Sequence, residues 1–437
     1  MKKITAPKKQ KKWVSWNKNV QHPYETIVKV TKEQELIKAV SKHDSVRVFG
    51  NRFSSSDICA GTRALIDITT YDKIVRINMQ TKEVTIQSGA TLEKLLNVVR
   101  ASGWCIPCLP DIDKVTVGGA LATGTHGTNG YILAKYVSKF RMIHADGTVH
   151  EYTEEDDEIE AVRLSLGMLG VISEVTFKCE SDYKLHLKEE PMKDKDWVNN
   201  LDLYLATYDF VRVLWLPHTN HGYVILGMKV ANDFKLEEKA YPSYLKHRRK
   251  TSQMLYKKAS KKPRFTVRAN KILYHLFFTP KKEHLGSLYD ATVTKSRAGT
   301  MELAEWTVDY TKFKTLFAEL KEKLDDKANN AYAHIPMDVR FLKKDGVWLS
   351  NAYNADVVTM GCVCRNAEAA DAYEAFDLIE EVFLKYDGKP HWAKRFKAKN
   401  KELSKMYPKW NEFEAIRKQL DPKGKFLNEY LKRLFVK

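Results

Sequence analysis

The sequence is short of cysteine and of acidic charge. Six cysteines serve 437 residues, and 55 Asp and Glu face 73 Lys and Arg, leaving a net charge of +18. Long apolar runs are missing too. Stretches such as ILYHLFF, Ile272 to Phe278, fall far short of a bilayer's thickness, which excludes a protein built on spanning helices. No apolar segment follows the lysines of MKKITAPKKQKKW, so the start reads neither as a secretory signal nor as a transit peptide. Residues 1–12 read as a basic, disordered arm, and the expected location is intracellular, cytoplasmic or peripheral at a membrane.

Cys59, Cys105, Cys108, Cys179, Cys362 and Cys364 are too few to form a disulfide framework in so long a chain. Cys105 and Cys108 make a C-x-x-C, the spacing of a redox pair or half a zinc site. No second pair, histidine cluster or thioredoxin-like context accompanies it, so buried thiols and no metal are expected. Helix-turn-helix, zinc-finger and RNP signatures are absent as well, so no specific nucleic acid is expected. The positive charge is densest in the N-terminal arm and in Leu245–Arg264. It reads as a solvated surface that admits peripheral contact with an anionic membrane.

Hydrophobic residues make up 43% and charged residues 29%, an ordinary globular balance, and the length favours two domains. Up to about residue 180, strands and helices alternate. TIVKVT and VRVFG read as strands. KEQELIKAVSK reads as an amphipathic helix, with Leu36, Ile37 and Val40 on one side. EVTIQSG alternates with period two. TLEKLLNVVRASG carries Leu92, Leu95, Leu96 and Val99 on one stripe, with Thr91 as its N-cap and Gly103 at its end. GVISEVTFKC closes this part.

From about Leu185 aromatic-rich strands appear, FVRVLWLP and GYVILGMKV, followed by a basic, linker-like stretch. ELAEWTVDYTKFKTLFAELKEKLDD reads as a strand leading to a helix. AHIPMDVRFLKKDGVWLS reads as two strands joined by a Lys-Lys-Asp-Gly turn. AEAADAYEAFDLIEEVFLKY reads as a long helix. Residues 13–180 read as an α/β or α+β domain built for a ligand, and 181–437 as an antiparallel sheet covered by helices, with α+β as the fold class expected of the whole.

Two segments carry chemistry. RVFGNRFSSSDICAG places Gly50, Asn51, Arg52 and Phe53 ahead of Ser54, Ser55, Ser56 and Asp57, a turn whose hydroxyls and amides suit a phosphate or a ring edge. PDIDKVTVGGALATGTHGTNG, from Pro110, is denser still. Gly118, Gly119, Gly124 and Gly127 lie among Val117, Ala122, Thr123, Thr125 and His126. Glycine lets backbone amides approach a ligand closely, and the threonines add donors, which suits a pyrophosphate. Neither the Walker sequence nor G-x-G-x-x-G is present, and composition alone leaves a structural glycine turn equally open.

TVGGALATGTHGTNG resembles the flavin-binding loop of the vanillyl-alcohol oxidase superfamily. Four further stretches narrow the resemblance to its aldonolactone oxidases: WVSWNKN, YAHIPMDVRF, GKPHWAKRF and YPKWNEFEAIRKQLDPKGKFLNEYLKRLF. They follow the family's order along nearly the whole chain, with Leu185–Thr300 matching only loosely. The resemblance implies a two-subdomain PCMH-type FAD-binding domain and a substrate cap whose C-terminal segment packs back on it. It implies oxidation of a sugar lactone or polyol, with molecular oxygen as acceptor. Gly167, Gly170 and Ile172 of SLGMLGVISEVTF fall at the strand that meets the flavin and adenine side.

Phe53 stands where the family usually carries the histidine joined covalently to flavin. A phenyl ring has no nucleophilic atom, so FAD held without a covalent bond is expected. Arg340 and Lys394 correspond to positive groups near the flavin, with Lys394 facing the substrate hydroxyl and His391 supporting it. The period of two puts Asp338 and Arg340 on one strand face. Asp338 replaces the usual glutamate, which bears on substrate reach. Pro110 matches the oxidase pattern at the oxygen-reactive edge. The rivals are an alditol oxidase or lactone dehydrogenase of the same fold and, in another class, a non-catalytic basic binding protein.

Overall fold

The computed structural model describes residues 11–231, 233–237, 245–293, 301–334, 336–366 and 373–436. Two larger sheets build the first part, with two short two-stranded pairs beside them. Thr26–Lys29, Ala64–Asp67 and Val46–Phe49 form a parallel sheet with Ala64–Asp67 in the middle. The connecting helix Glu33–Lys42 buries Leu36, Ala39 and Val40, and the Glu35 carboxylate takes the amides of Thr31 and Lys32 at its start. The second sheet is antiparallel, in the order Val149–Thr153, Val137–Ile143, Val171–Lys178, Glu83–Gln87, Ile74–Asn78. Val171–Lys178 is its central strand. Helix Leu92–Ala101 packs beside it with Leu92, Leu95, Leu96 and Val99 buried, and Thr91 Oγ1 accepts the Lys94 amide at 3.2 Å.

The second part is one antiparallel sheet of eight strands. Its centre runs His221–Val230, Phe210–Leu216, Met337–Leu342, Val357–Asn366, Met301–Asp309. Helices Tyr310–Asp325 and Glu374–Lys385 cover it. The C-terminal segment returns to the first part. Lys425 O accepts the Val46 amide at 3.0 Å, and Asn428 Nδ2 donates to Asp57 O at 2.7 Å. Among the described residues no helix is long and apolar enough to cross a membrane.

Three local expectations change. The basic stretch after GYVILGMKV forms the helices Leu245–Lys261 and Phe265–Phe277, in which Leu255, Ala269 and Leu273 are buried. Lysine and arginine are good helix formers, so dense charge here does not mean a linker. The second strand expected after Lys343–Gly346 does not form. Asp345 Oδ1 accepts the Val347 amide at 2.9 Å, Asp345 Oδ2 accepts Ser350 Oγ at 2.7 Å, and the chain turns back. Inside the glycine-rich segment a short helix, Val117–Ala122, replaces an open loop, with the Val117 and Gly118 amides held by Ala90 O and Ser88 O. The long helix read from Ala367 begins, in the described residues, at Glu374; positions 367–372 lie outside them, as does the arm over 1–10.

Lys389 is a site of stored cost. Burial pushes its ammonium down to about 8, while Asp345 partly holds it up. A lysine whose folded value lies below its free value of 10.5 destabilises the fold wherever it is charged in both states, by about 3 kcal/mol. Lys389→Met is therefore expected to raise stability at pH 7. The gain should be full below pH 8, shrink as pH rises towards 10.5, and vanish above it. Chemical denaturation across that range checks it.

Candidate active site

The loop after strand Val46–Phe49 is stitched to the segment carrying His391 and Lys394. Ser55 donates its amide to Ala393 O at 2.8 Å, Ser54 Oγ donates to the same carbonyl at 3.2 Å, and Ser56 Oγ donates to Trp392 O at 3.0 Å. The serines thus spend these groups on the protein itself. Asp57 pairs with His22 at 2.6 Å, away from the cavity lining.

A cavity of about 1570 Å³, open mouth included, runs between the two parts. From the serine loop it is lined by Gly50, Asn51, Arg52, Phe53 and Ser54. From the glycine-rich segment come Pro110, Gly118, Gly119, Ala122, Thr123, Thr125 and His126. Gly167, Gly170 and Ile172 contribute from the strand side, and Arg340, His391 and Lys394 from the large sheet and the segment after it. Ser55, Ser56, Asp57, Val117, Gly124, Gly127 and Asp338 lie behind this surface. Val117 is core, and Gly124 turns the chain at φ +71.

Several lining residues lie outside the expected site set: Trp16, Arg47, Cys59, Asp111 and Glu305. Phe53 packs on Trp16, ring centroids 5.5 Å apart. Arg47 is buried and, among the described residues, donates only to the carbonyls of Leu166, Gly167 and Phe426 and leaves its Nε without a partner. Burial lowers its guanidinium to about 10, so it remains charged at neutral pH. A buried cation facing only carbonyls on a cavity wall complements a diphosphate, and this fits FAD. The charged group in the apolar strand VRVF was the available signal.

Arg340 belongs to a buried cluster of four charges. Its Nε donates to Asp338 Oδ2 at 2.9 Å and its Nη2 to Asp111 Oδ2 at 2.6 Å. Arg212, from strand Phe210–Leu216, donates from Nε to Asp338 Oδ1 at 2.9 Å and from Nη2 to Asp111 Oδ1 at 2.8 Å. Burial opposes the Arg212 charge, and Asp111 and Asp338 more than restore it. Asp338 is thus engaged by both arginines, one position back from the cavity.

Opposite stands a second group. His126 Nε2 lies 2.9 Å from Glu305 Oε1, and His126 Nδ1 lies 3.1 Å from Gly127 O. Both ring nitrogens face acceptors, so the ring is held on two sides. Burial alone would raise the Glu305 carboxyl, but His126 holds it well below the ordinary range. Glycine at 361 leaves room for this pair, because a Cβ there would lie 2.8 Å from Glu305 Cδ and would force the carboxylate to move. His391 Nδ1 accepts the Ala393 amide at 3.1 Å, and burial lowers the ring to about 3, so the neutral ring carries its proton on Nε2. His126, Glu305 and His391 gather closely enough to suggest a metal. These hydrogen bonds already occupy His126 and the His391 lone pair, and they make the group a polar network.

The C-x-x-C thiols stay free and apart in function. Cys105 Sγ meets Ser181 O at 3.7 Å, and Cys108 Sγ accepts the Gly127 amide at 2.9 Å. Burial pushes both up to about 12, which keeps them protonated and unreactive.

Fold and site define an FAD-dependent oxidoreductase. Residues 24–153 match the FAD binding domain model, and residues 175–434 match the D-arabinono-1,4-lactone oxidase model. The chain belongs to the D-arabinono-1,4-lactone oxidase family, whose members are aldonolactone oxidoreductases. It is 30% identical over 412 residues to L-gulonolactone oxidase of Mus musculus, covering 92% of each chain. It is 26% identical over 435 residues to L-gulono-1,4-lactone dehydrogenase of Mycobacterium tuberculosis, covering 97% of this chain and 98% of that one. The fold matches cholesterol oxidase from Brevibacterium sterolicum with a TM-score of 0.80 at 14% identity, over 98% of this chain and 97% of that one.

Proposed function

We propose that the protein oxidises an aldono-1,4-lactone of the L-gulono, L-galactono or D-arabinono type at its secondary alcohol. The product is ascorbate or an analogue, and oxygen is returned as hydrogen peroxide. One observation carries this reading: a single cavity lining joins the glycine-threonine segment and Arg47 to Arg340, His391 and Lys394. FAD, bound there, supplies the two-electron acceptor. Arg47 complements the diphosphate. Arg340 sits where its charge offsets negative charge developing on the ring. His391 donates from Nε2 to a substrate oxygen, and Lys394 orients the reacting hydroxyl. Asp338 fixes the Arg340 guanidinium.

The FAD is held without a covalent bond. Phe53 offers no nucleophile. The cavity histidines are engaged by Glu305 and by the Ala393 amide. Burial raises the Cys59 thiol to about 11, which keeps it protonated. Pro110 on the lining supports oxygen as the acceptor, while the name of the mycobacterial relative supports a second reading, a dehydrogenase. The basic helix Leu245–Lys261 offers a surface for peripheral contact with an anionic membrane.

The experiment is an absorption spectrum before and after acid precipitation, followed by L-gulono-1,4-lactone under air. Yellow colour released to the supernatant is the expected result, and colour kept in the pellet contradicts the non-covalent reading. Bleaching with peroxide is expected of the native protein. Bleaching without peroxide supports the dehydrogenase.

A further inference from the structure

The strand face carrying Asp338 and Arg340 sends only Arg340 to the cavity; of the two carboxylates on the lining, Glu305 is paired with His126, and Asp111, from the opposite wall, is the one that meets Arg340. Asp338 is 2% exposed, with both oxygens engaged by arginine. Asp111 is held from two sides: Arg212 takes Oδ1 and Arg340 takes Oδ2. Each contact is a charge-assisted hydrogen bond from one Nη2, and the two together hold both carboxylate oxygens in place. The cavity therefore presents an acceptor, Asp111, directly beside a donor, Arg340.

We propose that Asp111 is the substrate-contacting, specificity-determining carboxylate, and that Arg212 is the positioning residue that aims it. This rests on the lactone reading above. A carboxylate offers several lone-pair sites and accepts hydrogen bonds from hydroxyls, while Arg340 donates to ring or carbonyl oxygens. Such a donor–acceptor pair suits a neutral polyhydroxylated ring. The ring-opened aldonate carries its own carboxylate, which Asp111 repels wherever it lies nearer to Asp111 than to Arg340. The site thus selects the closed lactone over its hydrolysis product by charge as well as by shape.

The test uses the FAD-loaded enzyme. Dissociation constants are read for L-gulono-1,4-lactone from anaerobic flavin reduction, and for L-gulonate from perturbation of the flavin spectrum. Asp111→Ala is expected to weaken the lactone about tenfold or more, the loss of a hydrogen bond to a charged partner. Gulonate should bind no more weakly than to the wild type, so the selectivity ratio falls by about the same factor. Removing Asp111 alone leaves the buried cluster with excess positive charge. Asp111→Ala/Arg212→Gln restores neutrality and keeps the test sound if the single variant folds poorly. The double variant should keep the weakened lactone and the lowered ratio. Recovery of the wild-type ratio in the double variant, or a ratio within about twofold of wild type in either, overturns the proposal; that is below a hydrogen bond's worth. A wild-type flavin that no lactone reduces overturns the lactone reading instead.

Discussion

Gly127→Ala is expected to purify largely colourless. A methyl group at 127 would lie 2.4 Å from Leu109 O, 2.9 Å from Leu109 N and 3.0 Å from Cys108 Sγ. Two of these atoms are backbone and cannot swing aside. The chain on one side of this contact leads into Pro110 and Asp111, and on the other side stands His126. Both lie on the cavity wall. Forcing them apart strains the Asp111–Arg340 contact and the His126–Glu305 pair together, and it weakens the Gly127 N–H to Cys108 Sγ bond. Overpacking of this kind costs about 1–3 kcal/mol or more. Here the cost falls on the walls that hold the cofactor. The flavin-to-protein absorbance ratio after gel filtration should drop to a small fraction of wild type, with a lowered melting temperature. Full flavin content and an unchanged melting temperature would contradict this account of the contact.

Local periodicity made much of the fold legible. The stripe Leu92, Leu95, Leu96, Val99 is the buried face of a helix, and FVRVLWL and GYVILGMKV are strands of the large sheet. What escaped the sequence was long-range pairing. Arg212 and Asp338 lie far apart in the chain, yet their side chains meet because strands Phe210–Leu216 and Met337–Leu342 are neighbours with Leu214 opposite Asp338. An arginine in the apolar run FVRVLWL is the one local hint, since a buried cation requires a partner. Glu305 in LAEWTV gave a similar hint: an acid in a strand that is otherwise buried. Asp111 gave none, because Asp113 beside it reads the same in sequence, and only the fold separates their environments. Asp113 accepts Tyr289 Oη at 2.7 Å, while Asp111 lies on the cavity. The serine loop shows the converse. Its hydroxyls suit a ligand by composition, and the chain uses them to bind its own carbonyls at 392 and 393.

Arg340→Met is expected to slow flavin reduction by L-gulono-1,4-lactone about 10²–10³-fold at saturating substrate, the range seen when one preorganised charge-stabilising group is removed. The argument is electrostatic. In the native cluster two guanidinium groups balance two carboxylates. Without Arg340, Arg212 alone faces Asp111 and Asp338, and one buried negative charge is left uncompensated on the cavity wall. That charge opposes any negative charge developing nearby, so the variant loses a stabilising group and gains a repelling one. It also costs stability, about 3–5 kcal/mol for breaking a buried pair on one side. Arg340→Lys separates the two contributions. Lysine keeps the charge but lacks the fork that reaches Asp338 and Asp111 at once, so it should recover most of the stability and only part of the rate. An arginine side chain titrates far above neutrality, so the loss should not vary with pH between about 6 and 9. Anaerobic stopped-flow reduction of the purified variants measures this directly. A methionine variant that keeps its flavin and is reduced at the wild-type rate would confine Arg340 to a structural role and leave the electrostatic work to Lys394.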